Sequence, residues 1–221
     1  MSRGQKFITI WKMKIIFNHD YGFVKNERVF CEVYGFPDNE TYDELLDSGW
    51  LPSMEDKNVW YQSKSCRLNI EDFIVTEKIK NFKDKINFSI ENYDNQKFID
   101  NFFKRFYKEK NFDIYDLYDN CSKFFEIKVL SLKYNNELVA LARFIECEYS
   151  NLLLSHSYIT SSEVRSLGNY LLYLLEHVSK IQNKKYLYLY ESYDDIFSYK
   201  QKFNNSEIWN GINWLKINGK S

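Results

Sequence analysis

The chain has 221 residues, of which 30 are basic and 31 acidic, and its formal net charge is −1. This length is enough for one large domain or two small ones, with a core that needs no covalent cross-links. Because proteins that wrap nucleic acid usually carry a basic excess, the near-neutral balance excludes a generally basic nucleic-acid binder and leaves only a local patch for such contacts.

The cysteine spacing indicates whether the chain binds a metal and whether its compartment is reducing, and the length of the apolar runs indicates whether it spans a membrane. Cys31, Cys66, Cys121 and Cys147 lie far apart, with no CxxC pair and no histidine at metal-ligand spacing. The sequence therefore predicts free thiols in a reducing compartment and no metal site. No run approaches the roughly 18 apolar residues of a membrane span, and the N-terminus lacks the pattern of a secretory signal. We expect a cytoplasmic protein without a membrane partner.

Residues 1–88 are predicted to form a smaller, β-rich N-terminal part with one short helix. FITIWKMKIIF and ERVFCEVYGF each read as one strand. NETYDELLDSGW predicts a helix, because Thr41 lies three residues before Glu44 in a capping box and Gly49 ends the pattern. NVWYQSKSCRLNIEDF predicts one or two further strands. TEKIKNFKDKINFSIEN fits either a helix or an irregular crossover.

Residues 89–221 are predicted to form the second domain. Its first element is a helix within residues 93–110, with an apolar stripe formed by Phe98, Phe102, Phe103 and Phe106. FFEIKVLSLKY and ELVALARFIECEY predict a β-hairpin with Asn135 and Asn136 in its turn, and NLLLSHSYI predicts a third strand.

An amphipathic helix is predicted in SEVRSLGNYLLYLLEHVSKIQ. Its apolar side comprises Leu167, Leu171, Leu174, Leu175 and Val178. KKYLYLYES predicts a strand, DDIFSYKQKF a short helix, and IWNGINWLKI a last strand or hairpin. The order hairpin, strand, helix, strand, helix, strand is that of the second half of the GNAT acyltransferase fold. We therefore expect an α/β (α+β) protein with a GNAT-like mixed, mostly antiparallel sheet and flanking helices.

Three local patterns carry a more specific resemblance. LSHSY followed by SLG is similar to the L-S-S-V-Y … S-L-G stretch of the arginyl- and leucyl-tRNA–protein transferases. YLYLYESYDDIFSYKQKFNNSEIW resembles that family's Y-L-G-Y … M-x-Y-K-x-x-F-x-P-x-E block, with Tyr199, Lys200, Phe203 and Glu207 in register. YDELLDSGW and the later RLNIEDF resemble the family's Y-x-x-L-L-x-x-G-(F/W) helix and its R-(I/V)-x-V-x-x-F strand, in which Arg67 is the arginine.

The chain departs from that family at several points. The N-terminal cysteine motif of the eukaryotic members is absent, a bulkier residue replaces the glycine of Y-L-G-Y, and Asn205 stands where the family has proline. These departures concern the acceptor pocket and the substrate rather than the fold.

The resemblance implies transfer of an aminoacyl group from aminoacyl-tRNA to an amine by direct attack, with no resident cofactor. Such a transfer needs a neutral amine, a route for its proton, and donors for the oxyanion. Glu191, at a strand end, is the candidate that binds or deprotonates the amine, and Tyr199 the candidate that supplies a phenolic proton. Each has a structural alternative: Glu191 as a solvated charge, and Tyr199 as a core residue with a satisfied hydroxyl.

The donor is expected at the strand and turn before the main helix, where backbone N–H groups and the helix N-terminus favour an anion. The candidate donor-binding residues are Ser155, Ser157, Tyr158, Arg165, Ser166, Leu167, Gly168 and Lys200. The candidate acceptor-binding residues are Arg67, Tyr188 and Tyr190. A plain alternative for the turn is a strand-to-helix connection with Ser161 or Ser162 as the helix N-cap.

Two other functions stay open. An acyl-CoA-dependent N-acyltransferase acting on a small molecule or amino-sugar would carry a (Q/R)-x-x-G-x-(G/A) turn, whereas this chain has Arg165, Gly168 and then Tyr170, whose ring would crowd the pyrophosphate. An inactive GNAT-like binding module is the third reading. If the protein binds tRNA, we expect the contact at a basic patch comprising Lys104, Arg105, Lys108 and Lys110. The same residues would equally fit the solvent-exposed face of a helix.

Overall fold

A computed structural model describes residues 7–10, 13–17, 23–24, 27–28, 33–37, 41–53, 56, 58–74, 86–93, 96–110, 125–159, 166–192 and 198–217. The chain divides into two compact units. Unit one comprises Met1–Asn69, Cys147–Tyr149 and Tyr188–Ser221, and unit two comprises Ile70–Glu146 and Ser150–Leu187. The boundary after residue 88, which divides the chain in sequence order, stays a prediction.

The described elements are strands, three α-helices and one 3₁₀ helix. The strands are β1 (Phe7–Ile10), β2 (Met13–Phe17), β3 (Phe23–Val24), β4 (Glu27–Arg28), β5 (Val33–Pro37), β6 (Trp50–Pro52), β7 (Trp60–Gln62), β8 (Ser65–Asn69), β9 (Ile86–Asn92), β10 (Ile127–Tyr134), β11 (Glu137–Glu146), β12 (Ser150–Tyr158), β13 (Tyr186–Glu191), β14 (Ser206–Trp209) and β15 (Trp214–Lys216). The helices are α1 (Tyr42–Asp47), α2 (Gln96–Lys110), α3 (Leu167–Ile181) and the 3₁₀ helix η1 (Ser198–Lys202).

Unit one contains a five-stranded sheet with the order β1-β2-β5-β7-β6, in which all neighbours are antiparallel. The expectation of one strand in FITIWKMKIIF is wrong. The run folds back on itself as β1 and β2, with Ile10 opposite Met13. An eleven-residue strand is longer than most, and the fold-back lets each half bond the backbone groups of the other.

Helix α1 has the predicted capping box. The Thr41 hydroxyl accepts from the Glu44 N–H at 3.3 Å, and the Glu44 carboxylate accepts from the Thr41 N–H at 2.9 Å. Gly49 then adopts a φ of +79°, and a Cβ placed there would stand 2.3 Å from the Trp209 ring. Both the left-handed backbone and the packing therefore require glycine at this position.

The rest of unit one includes strands β8, β14 and β15 and the 3₁₀ helix η1, which carries the candidate catalytic residue Tyr199. Strand β14 pairs antiparallel with β8 on one side and with β15 on the other. Of the last strand or hairpin predicted in IWNGINWLKI, the structure has the hairpin, with Trp209 opposite Trp214. Of the short helix predicted in DDIFSYKQKF, the structure describes a 3₁₀ turn at η1, and residues 193–197 lie outside the described part.

Unit two contains the antiparallel strand order β12-β11-β10-β9. Asn135 and Asn136 take φ of 52° and 64° between β10 and β11, so the predicted hairpin is confirmed. The segment TEKIKNFKDKINFSIEN was expected to be a helix or an irregular crossover. Its last seven residues instead form the edge strand β9, which pairs with β10. A ladder of backbone hydrogen bonds to β10 outweighs the segment's weak local preferences.

Both helices of unit two bury apolar residues of the predicted stripes, and on α2 Phe103 and Phe106 are buried while Phe102 is partly buried. On α2, Ile99 and Phe103 pack with Val129 and Leu141 in one buried cluster, while the side chain of Phe98 lies outside the described part. The leucine stripe of α3 is buried throughout. The predicted class, a mixed α/β fold with a mostly antiparallel sheet and flanking helices, is confirmed.

The described residues also bear on the thiols and on membrane spans. Cys66 and Cys147 are buried and neither is part of a disulfide, whereas Cys31 and Cys121 lie outside the described ranges. Among the described helices, none is long and apolar enough to cross a membrane.

Candidate functional site

The predicted site residues fall in both units. Unit one holds Arg67, Tyr188, Tyr190, Glu191, Tyr199 and Lys200. Unit two holds Ser155, Ser157, Tyr158, Ser166, Leu167 and Gly168, and Arg165 lies outside the described residues.

The end of β13 is strained where it reaches Glu191. Tyr190 has a φ of +67°, which places a bulky aromatic residue in the left-handed region. Such a conformation costs on the order of 1–3 kcal/mol and persists only where the surroundings enforce it. Strain of this kind is concentrated at functional sites. A solvated charge at a strand end would not need a strained residue before it. The strain at Tyr190 therefore favours a functional role for Glu191.

Three contacts within unit one hold this strained end. The Lys200 ammonium donates to the Glu191 carbonyl at 2.6 Å. The Ser192 N–H donates to the Lys64 carbonyl at 2.8 Å, and the Gln201 side-chain amide donates to the Ser192 carbonyl at 3.0 Å. Lys200 is buried, and its hydrogen bond to the Glu191 carbonyl positions its ammonium. A contact between Lys200 and a phosphate or carboxylate of the donor stays a prediction. Tyr199, beside it on η1, is partly buried.

Tyr61 on β7 is a further residue of this site, and it was not among the residues predicted from the sequence. Its hydroxyl is hydrogen-bonded to the Tyr190 hydroxyl and to the Glu191 carboxylate. Its ring meets that of Tyr190 edge-on, with centroids 6.4 Å apart. Burial first, and then the neighbouring Tyr190 and Glu191, raise the pKa of Tyr61 well above its ordinary value. The phenol therefore keeps its proton at neutral pH. No local sequence pattern marks it, because Glu191 lies far along the chain.

A second group in unit one, the arginine cluster, comprises Arg67, Asp47, Glu207, Tyr188 and Trp214. Arg67 Nε donates to Glu207 at 2.7 Å, and its Nη1 donates to Asp47 at 2.6 Å and to the Tyr188 hydroxyl at 3.3 Å. The guanidinium carbon lies 4.2 Å from the centroid of the Trp214 ring.

The charge of Arg67 is well compensated. Burial lowers the pKa of the guanidinium, but Tyr188, Glu207 and Asp47 outweigh it, so the net pKa is raised. The structure thus brings together two predicted acceptor-binding residues, Arg67 and Tyr188, and the motif residue Glu207. The ion pairs of Arg67 also give the cluster a structural role. Acceptor binding would be a second role for the same residues.

In unit two, the predicted donor-binding serines are buried on β12. Ser155 Oγ accepts from Arg143 Nε at 2.9 Å, and the Arg143 guanidinium lies 4.0 Å from the Phe103 ring centroid. Ser157 is fully buried, and its hydroxyl has no hydrogen-bond partner among the described residues. A buried hydroxyl without a partner is uncommon and costs free energy.

The strand end and the helix start meet at Tyr158 and Gly168. A Cβ on Gly168 would stand 2.6 Å from the Tyr158 ring, so only glycine lets this ring lie against α3. Tyr158 and Phe106 have ring centroids 5.2 Å apart. They line a shallow depression with Phe102, Arg105, Glu109 and Ile159.

The start of α3 differs from the plain alternative considered above. The N-cap is Ser166, with a φ of 61° and no side-chain cap hydrogen bond, rather than Ser161 or Ser162. A left-handed residue cannot continue a helix, so α3 begins at Leu167. Ser166 is exposed and Leu167 is buried. Tyr170 is also buried.

The predicted basic patch lies on α2. Lys104, Arg105 and Lys108 are exposed, and the side chain of Lys110 lies outside the described part. Arg105 pairs with Glu109 at 3.0 Å and borders the depression beside Tyr158. One member of the patch therefore lies next to a predicted donor-binding residue within the same unit.

Comparison with known proteins bears on the fold. No protein-family model matches the sequence, and no curated protein matches it. Among solved structures, FemX is similar with a TM-score of 0.54 at 9% identity, over 83% of this chain and 70% of FemX. At this identity the likeness shows the fold alone, and that fold is GNAT-like.

Two weaker likenesses have TM-scores below 0.5. L-PGS from Bacillus licheniformis has a TM-score of 0.47 at 12% identity, over 60% of this chain and 46% of L-PGS. A GCN5-related glucosamine N-acetyltransferase region of a fungal multi-domain GH3 beta-N-acetylglucosaminidase has a TM-score of 0.44 at 14% identity, over 79% of this chain and 23% of that one. The chain thus spans less than half the length of L-PGS.

Proposed function

We propose that this protein is an aminoacyltransferase that moves an amino acid from aminoacyl-tRNA to an amine, such as the N-terminus of a protein. The observation that carries the proposal is Glu191, a carboxylate at the strained end of β13 whose backbone and side chain are both held by neighbours. The motif resemblance to the arginyl- and leucyl-tRNA–protein transferases and the GNAT-like fold support it. The arginyl and leucyl specificities of that family are left open.

The chemistry follows from groups that the chain supplies. The neutral amine attacks the ester carbonyl carbon of the aminoacyl-tRNA, and the new C–N bond forms as the C–O bond to the terminal adenosine breaks. Glu191 accepts the proton that the amine loses, and Tyr199 donates a proton to the departing oxygen. Tyr158 and the start of α3 bind the donor, with backbone N–H groups favouring its negative charge. Arg67 and Tyr188, both buried and hydrogen-bonded to each other, remain the proposed acceptor-side residues of unit one.

A second candidate is an acyl-CoA-dependent N-acyltransferase on a small molecule or amino-sugar. One observation favours keeping it: the Tyr170 ring is buried. A buried Tyr170 ring is less able to crowd a pyrophosphate, which was the feature that counted against CoA. The same Glu191 and Tyr199 would then serve a thioester donor.

The test is a transfer assay. Aminoacyl-tRNA charged with labelled amino acids is mixed with peptides that differ in their N-terminal residue, and label in the peptides is counted. Glu191→Gln should lower turnover about 100-fold or more, because general-base catalysis contributes at least that much. Tyr199→Phe should lower it as well. The matched control is Glu137→Gln, which removes an exposed carboxylate on β11 and should leave the rate unchanged. Wild-type rates in Glu191→Gln and Tyr199→Phe would remove both residues from the mechanism.

A further inference from the structure

The Glu191 carboxylate has a fixed hydrogen-bonding environment within unit one. The Tyr61 hydroxyl contacts both the carboxylate and the Tyr190 hydroxyl, and the Tyr190 hydroxyl donates to the Pro52 carbonyl at 2.5 Å. Pro52 ends β6, and Tyr61 lies on the neighbouring strand β7. The three groups thus link Glu191 to the backbone of the five-stranded sheet.

The direction of these bonds follows from the protons available. A phenol has one proton to donate, and an ionised carboxylate can only accept. Because Tyr190 gives its proton to the Pro52 carbonyl, its oxygen is left as an acceptor toward Tyr61. The single proton of Tyr61 therefore serves Glu191 and the Tyr190 oxygen together, and Tyr61 has no other proton to give.

From this arrangement we propose that Tyr61 is a positioning residue for the transfer reaction, which orients the Glu191 carboxylate through a donated hydrogen bond. The inference rests on the proposed function for its catalytic consequence. Tyr61 need not touch the substrate: it holds one carboxylate oxygen so that the other faces the acceptor amine. A bond to the charged form of an acid also keeps that acid ionised, as a proton acceptor must be before it acts.

Two titratable side chains of unit one contact Glu191 directly. Tyr61 of β7 contacts its carboxylate and Lys200 of η1 contacts its carbonyl, while Tyr190 precedes it on β13. Of these, Tyr61 donates to the carboxylate itself, whereas Lys200 donates to the carbonyl. A change confined to the Tyr61 hydroxyl therefore isolates one bond to the carboxylate.

The experiment is a titration of the full chain carrying ¹³C-labelled glutamate carboxyls, with the Glu191 signal assigned by its absence in Glu191→Gln. Tyr61→Phe should raise the pH at which Glu191 titrates by about one unit, the size expected for a hydrogen bond to a charged group. In the transfer assay, the same variant should lower kcat about tenfold with KM for the donor unchanged, and move the acid limb of the rate profile to higher pH.

Controls separate this inference from the proposed function. Tyr186→Phe removes a phenol from the other end of β13 and should leave the titration of Glu191 unchanged, and thermal melts establish that each variant folds. An unchanged midpoint in folded Tyr61→Phe would overturn the inference whether or not the protein transfers amino acids. A shifted midpoint in a protein that transfers nothing would support the Tyr61–Glu191 bond and refute the reaction.

Discussion

Arg67 is a residue whose surroundings predict a measurable stability effect. Its side chain is 6% exposed, and it pairs with Glu207, which is 15% exposed, and with Asp47, which is 61% exposed. A buried charge that loses its partner is costly, while an exposed pair contributes little. The two ion pairs of Arg67 should therefore contribute differently to the free energy of unfolding.

We predict that Arg67→Met lowers the free energy of unfolding by about 3–5 kcal/mol at neutral pH, because it leaves the part-buried Glu207 carboxylate without the guanidinium that neutralises it. The matched variant Asp47→Asn should cost less than about 1 kcal/mol. Urea unfolding measures both. Equal losses in the two variants would contradict the assignment of Glu207 as the main partner.

The site residues also separate what sequence can predict from what it cannot. Motif similarity drew attention to Arg67, Tyr188 and Glu207, but nothing in it indicated that they form one cluster. The contact between Tyr61 and Glu191 joins distant segments, and hydrogen bonds between distant segments leave no periodicity to detect. The left-handed Tyr190 had no signal either, since tyrosine does not favour that conformation.

Among the elements, those defined by local chemistry were predictable. The capping box of α1, the Asn135-Asn136 turn and the buried side of α3 each depend on residues a few positions apart. The failures were the fold-back between β1 and β2 and the edge strand β9. In both, pairing with a neighbouring strand decides the structure, and strand preference depends more on such context than helix preference does.

The junction after α1 predicts a second stability effect. Gly49→Ala should lower the free energy of unfolding by about 2–4 kcal/mol, because left-handed strain and a clash with Trp209 add together. Gly211→Ala is the matched control: its φ is +97° and it lies exposed in the β14–β15 turn, so strain alone should cost about 1–2 kcal/mol. Urea unfolding compares them. A loss at Gly49 no larger than at Gly211 would contradict the packing against Trp209.

For the molecule as a whole, the element order predicted the GNAT-like class, and the likeness to FemX agrees with it. The class does not decide the donor, because one fold supports many reactions. The motif similarity supports aminoacyl-tRNA as the donor, whereas the held Glu191 carboxylate would serve an ester or a thioester donor equally. The net charge of −1 gives no support for tRNA beyond the patch on α2.

Ligand-induced thermal stabilisation, with aminoacyl-tRNA, deacylated tRNA and acetyl-CoA compared side by side, tests whether aminoacyl-tRNA is the donor. A ligand at 100 times its dissociation constant adds about 2.7 kcal/mol to stability, which a melting curve resolves. We predict that aminoacyl-tRNA raises Tm and acetyl-CoA does not. Stabilisation by acetyl-CoA without any by tRNA would refute aminoacyl-tRNA as the donor and make the acyl-CoA-dependent transferase the leading function.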